Sequence, residues 1–129
     1  MLPPVDQIHL DERAPGSVVT EAAGMICIVI PNFALPPGFT AETADLLLRL
    51  SPGYPDVPPD MWWFHPPIQR VDGKAIEATQ SQEEHLGRTW QRWSRHLPPG
   101  QWRSGIDSIE SYLSLVRREL SLAARALAA

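Results

Sequence analysis

Residues 54–73 read YPDVPPDMWWFHPPIQRVDG, a run of aromatic residues between proline pairs that ends in an Asp-Gly turn. Proline lacks a backbone N–H, so the pairs predict stiff turns on both sides of the aromatic run. Met61 to Phe64 is therefore expected to form a short strand. Because neighbouring side chains on a strand point to opposite faces, one of Trp62 and Trp63 should face the core and the other should face away.

The segment before this run predicts one short helix and three more strands. Val5 to Arg13 carries apolar residues at near-helical spacing behind a proline pair, which favours a short amphipathic helix. The strands expected after it are Val18 to Glu21 and Met25 to Ile30, joined by an Ala-Ala-Gly turn, and then Ala44 to Leu50. Together with the aromatic run, they indicate a four-stranded antiparallel meander with one buried face.

The C-terminal segment has helical periodicity from Asp107 to the end of the sequence. Its apolar residues recur every three or four positions, at Ile109, Leu113, Val116, Leu120, Ala123 and Leu127. Asp107 or Ser104 is expected to cap the first turn, where Glu110 also suits the helix dipole. The sequence thus predicts a single α+β domain over residues 1–129, with a short N-terminal helix, the meander, a proline-rich crossover and a long C-terminal helix.

The composition argues against several kinds of partner and site. The net charge is −4 and the pI is near 5.5, so a basic surface for nucleic acid is not expected. No apolar stretch suits a membrane span and the N-terminus lacks a signal-peptide pattern, so a cytoplasmic location is expected. His85 with Glu83 and Glu84 offers too few ligands for a metal ion, and no cofactor is expected.

Cys27 is the only cysteine of the chain, and it lies in the apolar run from Met25 to Ile30. A lone cysteine cannot form an internal disulfide, which agrees with a reducing compartment. Free cysteine is among the residues most often buried in proteins. Cys27 is therefore predicted to be a packing residue rather than a nucleophile.

The ordered proline pairs, His65-Pro66-Pro67-Ile68 and the Asp72-Gly73 turn resemble the ubiquitin-conjugating enzyme superfamily, in which a His-Pro-Asn triplet precedes the active cysteine. Leu35-Pro36-Pro37-Gly38 and the Trp-rich run from Arg88 to His96 resemble more closely its bacterial branch, the prokaryotic ubiquitin-conjugating-like family E. The similarity spans about residues 5 to 120. It implies a ubiquitin-conjugating fold and a bacterial pathway that modifies proteins with a ubiquitin-like protein.

Two departures from the superfamily pattern bear on activity. Pro67 stands where the superfamily has the asparagine that supports the oxyanion of the transfer reaction, and proline has no side-chain donor for that role. The cysteine expected beyond the Asp-Gly turn is also missing, and Ile76 marks its position in the run Lys74-Ala75-Ile76-Glu77. The resemblance therefore implies a non-catalytic protein that binds a ubiquitin-like protein, or its adenylating activating enzyme or conjugating partner. A deconjugating protease is a further candidate partner.

Two other functions remain open. In the first, the chain is an enzyme that accepts the modifier as an oxyester on Ser94 or Thr79, with His85 or His96 as the base. In the second, it is an architectural subunit that dimerises through the C-terminal helix. The structural alternatives for the histidines are a hydrogen bond from His96 towards the helix start and a turn held by His65.

The tryptophans and arginines of the Trp-rich run have the composition of protein-binding hot spots. The residues considered for such a surface are Trp63, Trp90, Trp93, Arg92 and His65. Packing in the core is the competing interpretation, because each indole buries a large apolar area and needs a partner for its N–H.

Overall fold

A computed structural model describes residues 2–125 of the chain. It contains two helices and six strands, in the order α1 (Pro4–Arg13), β1 (Val18–Ala22), β2 (Met25–Ala34), β3 (Thr43–Leu50), β4 (Trp62–His65), β5 (Gln82–His85), β6 (Arg88–Trp93) and α2 (Ile109–Arg125). Both predicted helices are present, and the class is α+β. Leu127, one of the apolar positions predicted for the C-terminal helix, lies outside the described residues.

The strands form one curled antiparallel sheet in the order β1-β2-β3-β4-β6-β5. The first four strands are neighbours in chain order, but the prediction of only four strands was wrong. The segment expected to be a proline-rich crossover contains β5 and β6, which form a hairpin at the edge beyond β4. Leu86 and Gly87 connect them with φ of 55° and 74°, the left-handed conformation that a tight two-residue hairpin requires.

The main core lies between one face of the sheet and the helices. Strand β4 contributes Trp62 and β6 contributes Trp93, whose ring centroids are 6.3 Å apart, and both are fully buried. From α2, the buried side chains are Ile109, Tyr112, Leu113, Val116 and Leu120. This set contains four of the six apolar positions that the helical periodicity predicted, so the pattern placed the inward face of α2 correctly.

A second and smaller apolar cluster lies on the opposite face of the sheet and consists of Cys27, Leu47, Trp63 and Trp90. Cys27 is 1 % exposed, which confirms its predicted role in packing. Trp62 belongs to the main core and Trp63 to this cluster, so the predicted alternation of the two indoles is also confirmed.

The start of α2 is held by the other helix as well as by Ser108, the residue directly before it, whose amide donates to Oγ of Ser111 at 2.9 Å. The backbone N–H of Ile109 donates to Oδ1 of Asp6 at 2.9 Å, and the hydroxyl of Tyr54 donates to Oδ2 at 2.7 Å. Burial and this carboxylate raise the pKa of Tyr54 far above its ordinary value, so the phenol keeps the proton that it donates. The predicted caps were wrong, because Asp107 accepts from the amide of Arg103 and Ser104 donates to a loop carboxylate.

The inward face of α1 also differs from the prediction. Asp6 and Leu10 are buried, whereas Val5 and Ile8 are 63 % and 55 % exposed. The need to place Asp6 against the start of α2 sets the rotation of this short helix, and two of its apolar side chains are left at the surface.

Candidate functional site

The segment that contains Ile76 runs beside the second half of α2. Ile76 is only 7 % exposed, and its side chain belongs to the main core. Its carbonyl oxygen accepts two hydrogen bonds, from Oγ1 of Thr79 at 2.8 Å and from Nε2 of Gln80 at 3.1 Å. The position at which the resemblance places the lost cysteine is therefore filled by an inward-facing aliphatic side chain in a locally hydrogen-bonded turn.

Two grooves border this segment. The first groove has a volume of about 440 Å³ and separates the segment from α2; it is lined by Arg70, Ala75, Ile76, Glu77, Ala78, Ser94, Arg95, Glu119, Leu122 and Ala123. The second groove has a volume of about 330 Å³; it is lined by Ile68, Gln69, Arg70, Gly73, Lys74, Ala75, Ile76, Thr79, Gln80 and Gln91. Three residues line both grooves, so the two grooves meet at the segment that carries Ile76.

Arg70 fixes one end of the first groove. Its Nε and Nη2 donate to the two carboxylate oxygens of Asp72 at 3.0 and 2.8 Å, and its Nη1 donates to the carbonyl of Ala123 on α2. The hydrogen bond from Arg70 and that from the amide of Lys74 lower the pKa of Asp72 to about 2. The turn after β4 is thus tied to α2 by a hydrogen bond from Arg70, and a charge-assisted pair with Asp72 holds that arginine within the turn.

Arg95 fixes the other end of the same groove. Its Nη1 donates to the carbonyl of Glu77 at 2.8 Å, and its Nε lies 3.6 Å from a carboxylate oxygen of Glu119 on α2. The guanidinium also lies over the ring of Trp93, at 4.9 Å from the centroid. Because both ends are held, the groove walls are positioned before any ligand binds.

Gln91 positions the backbone that follows β4. Its Oε1 accepts from the amide of Ile68 at 2.9 Å and from Nε1 of Trp93 at 2.9 Å, while its Nε2 donates to the carbonyl of Ile68 at 3.1 Å. This amide is 7 % exposed, and it satisfies three buried polar groups. Sequence reasoning did not single it out, because a glutamine between two tryptophans carries no spacing signal.

The hydroxyls considered as nucleophiles line the grooves, but the histidines considered as bases do not. Thr79 is buried and donates to the carbonyl of Ile76, while Oγ of Ser94 accepts from Nε of Arg92 at 3.1 Å. His85 contacts Glu83 at 3.0 Å, and His96 contacts Asp60 at 2.6 Å. Among residues 2–125, no hydrogen bond pairs one of these hydroxyls with an imidazole.

The sequence model of the family described as Prokaryotic E2 family E matches residues 2–123. The chain belongs to this family. It is therefore a bacterial E2-like protein. No curated protein and no solved structure matches the chain.

The outer face of the sheet in this family E protein carries two of the three tryptophans that were considered for partner binding. Trp63 and Trp90 are 3 % and 0 % exposed, and Trp93 lies on the inner face and is fully buried. Arg88 covers Trp90, with its guanidinium 4.6 Å from the ring centroid, and Arg49 lies 5.7 Å from the centroid of Trp63. On the outer face of the sheet, the side chains of Arg49 and Arg88 therefore cover the two indole rings.

Glu83 on the edge strand organises this outer face of the family E protein. One carboxylate oxygen accepts from Nε1 of Trp63 at 2.8 Å and contacts Nε2 of His85 at 3.0 Å, and the other accepts from Arg92 at 2.9 Å. Burial acts to raise the pKa of Glu83, but these hydrogen bonds outweigh it, so the pKa is lowered. Arg92 therefore has a local ion-pair partner.

Two histidines join elements that are distant in the sequence. Nδ1 of His65 lies 2.8 Å from the carbonyl of Thr89, which links β4 to β6. His96 contacts Asp60 in the loop before β4. The hydrogen bond that was considered for His96, towards the start of the C-terminal helix, is therefore not the contact that the structure shows. These contacts join the Trp-rich run to residues 54–73, the segment with the proline pairs.

Residues 2–125 of this family E protein contain no group of three or more His, Cys, Asp or Glu side chains placed to hold a metal ion. Over the same range, no helix has the length and apolarity that crossing a membrane would require.

Proposed function

We propose that this bacterial E2-like protein binds a ubiquitin-like protein without forming a covalent bond to it. In this proposal, the C-terminal tail of the ubiquitin-like protein lies in the first groove, between the Ile76 segment and α2. The observation that carries the proposal is the burial of Ile76, at 7 % exposure, between two open grooves. A binding surface is retained there, while the position of the attacking thiol is occupied by a core side chain.

The lining of the first groove favours an uncharged extended chain. Its two arginines are balanced by the carboxylates of Glu77 and Glu119, and three of its residues are alanines: Ala75, Ala78 and Ala123. Small side chains let another backbone approach closely, and an extended segment can then bind through its main-chain groups. The adenylating enzyme that would supply the modifier is the second expected partner.

The test is to incubate the chain with ATP, a bacterial ubiquitin-like protein and the adenylating enzyme that activates it. The expected result is a non-covalent complex, measured by calorimetry, and no adduct that thiols or alkali release. An adduct cleaved by alkali but not by thiols would instead establish the oxyester enzyme, with Ser94 or Thr79 as the acceptor. Absence of both complex and adduct would overturn the proposal.

A matched pair of variants locates the binding site. Leu122 lines the first groove and is 42 % exposed, whereas Ile106 is 74 % exposed and lines neither groove. Leu122→Glu places a charge in the groove and should weaken binding about tenfold, which corresponds to 1.4 kcal/mol. Ile106→Glu makes the same chemical change elsewhere and should leave the affinity unchanged. Equal effects of the two variants would place the binding site outside the groove.

The oxyester alternative is favoured by the position of its two candidate acceptors, because Ser94 lines the first groove and Thr79 lines the second, and Ile76 lines both. It also requires a base. The two histidines considered as bases contact other groups, His85 contacting Glu83 and His96 contacting Asp60. Ser94→Ala is therefore expected to leave the interaction with the ubiquitin-like protein intact.

A further inference from the structure

A third groove, separate from the two beside Ile76, lies between α1, the bulged part of β2 and α2. Its volume is about 300 Å³, and it is lined by His9, Arg13, Ala14, Pro15, Ile30, Pro31, Asn32, Phe33, Ala34, Leu113 and Arg117. None of these residues lines the first or second groove. We call it the basic groove, because its charged and titratable side chains are all cationic or neutral.

The sign of the charge in the basic groove is opposite to that of the whole chain. The protein has a net charge of −4, yet no Asp or Glu lines this groove. Within residues 2–125, neither Arg13 nor Arg117 has an ion-pair partner. His9 lies 4.0 Å from Glu110, a distance at the limit of an ion pair. Two arginines from different helices thus face one cavity without a carboxylate in its lining.

The arginine on α2 is positioned by packing. The guanidinium carbon of Arg117 lies 5.2 Å from the ring centroid of Phe33, which forms part of the groove floor with Ile30 and Leu113. A guanidinium stacked on an aromatic ring keeps its planar fork of donors free for a carboxylate, because its hydrogen bonds lie in the plane of the group. The groove therefore combines an apolar floor with an oriented cation.

The walls of the basic groove are fixed on both sides. After α1, the amide and hydroxyl of Ser17 both donate to the carbonyl of Ala14, at 3.1 and 2.6 Å. On β2, the register shifts between Ile30 and Phe33, and the amide of Asn32 donates to Asp45 at 3.0 Å. A site that is already ordered loses less conformational entropy when a ligand binds.

We propose that the basic groove binds an acidic peptide segment of a partner protein. Carboxylates match the forked donors of arginine, and neither guanidinium has to give up an ion-pair partner within residues 2–125 in order to bind one. A peptide is favoured over a free anion for two reasons. The cavity is large enough for several side chains, and its floor offers apolar contacts that a phosphate ion cannot use.

The experiment measures binding of fluorescein-labelled octapeptides rich in Glu and Leu by fluorescence anisotropy, with Gln versions of the same peptides as neutral controls. The wild-type chain should bind the acidic peptides, and higher salt should weaken the binding. Arg117→Glu should raise the dissociation constant at least about tenfold. Arg118→Glu is the matched control, because Arg118 is an exposed neighbour on the same helix that does not line the groove.

Arg13→Glu supplies a second, independent variant on the other helix, so one failed fold would not block the test. Both variants are first checked for native circular dichroism. The proposal is overturned if no acidic peptide binds better than its Gln version, if Arg117→Glu and Arg118→Glu behave alike, or if pyrophosphate displaces the peptide at similar concentration. The experiment needs no ubiquitin-like protein, so its outcome is independent of the function proposed for the first groove.

Discussion

The strongest test of the site geometry is to put a thiol where the superfamily resemblance places one. Ile76→Cys introduces a thiol at that position, but the structure directs the side chain of residue 76 into the main core. Ala75→Cys places a thiol on the preceding residue, which is exposed and lines both grooves. The two variants differ by one position along the same turn, so a difference in thiol reactivity reports the direction of the side chain.

The expected difference follows from what must open before a reagent reaches position 76. The carbonyl of Ile76 accepts one hydrogen bond from Thr79 and one from Gln80, and turning the side chain outward breaks both. At about 1 kcal/mol of net stability for each hydrogen bond, the opening costs about 2 kcal/mol. Since 1.4 kcal/mol corresponds to a factor of ten, the thiol of Ile76→Cys should react roughly 30-fold more slowly than that of Ala75→Cys.

The assay is the rate of reaction with a chromogenic disulfide reagent at one pH, with the wild-type chain as the blank. The blank contains only Cys27, which is 1 % exposed. Unfolding midpoints of both variants establish that each remains folded during the measurement. Rates within about threefold of each other would refute the reasoning, because Ile76 would then face solvent and its replacement by cysteine would suffice to expose a nucleophile.

Three further predictions concern the contacts that position the site. Asp6→Ala leaves two buried donors without an acceptor and should lower the free energy of unfolding by about 2–4 kcal/mol, measured by urea titration. Asp6→Asn should lower it less. A loss below about 0.5 kcal/mol for Asp6→Ala would contradict this account. Gly38→Ala should lower the melting temperature more than Gly87→Ala. Both glycines have positive φ, but only at Gly38 would the added Cβ meet helix α2, at 2.9 Å, so equal shifts would argue against this packing. Asp72 has a folded pKa of about 2 against an ordinary 3.8, so its pairing with Arg70 stabilises the folded state above 3.8 and is lost as the pH falls towards 2. The stability of wild type relative to Asp72→Asn should shrink over that range, and a constant difference would show that the carboxylate charge contributes nothing.

The elements predicted with the right type have a strong local signal. The apolar residues of α2 recur at helical spacing over four turns, and four of them are buried as the spacing requires. The run from Met25 to Ile30 is apolar and rich in β-branched residues, and it forms the first six residues of β2. By contrast, β5 has the sequence Gln-Glu-Glu-His, in which no apolar alternation marks a strand. Strand β5 is defined by its pairing with β6 and by the contacts of Glu83, and these interactions form only when the chain is folded.

The candidate site was only partly predictable for the same reason. Ile76 could be located from the resemblance, but the direction of its side chain depends on the hydrogen bonds of a turn without regular secondary structure. Arg70 and Asp72 are two positions apart and could have been read as a pair from their spacing. The contact of Arg70 with α2 spans 53 positions, so it could not have been predicted from sequence spacing.

The amino-acid sequence by itself determined that this chain is an α+β protein of the E2-like type. Local periodicity set the inward face of α2 and the central strands, and proline and glycine set the turns. Only the tertiary structure decided which side chains form the grooves and what each polar group contacts. Asp6 shows the physical reason: its carboxylate accepts from an amide 103 positions away at the start of α2. With Asp6 buried in that contact, two apolar residues of α1 are left at the surface. A buried polar group often has its hydrogen-bond partner in a distant segment of the chain, and the residue pattern within one segment does not specify which group that partner is.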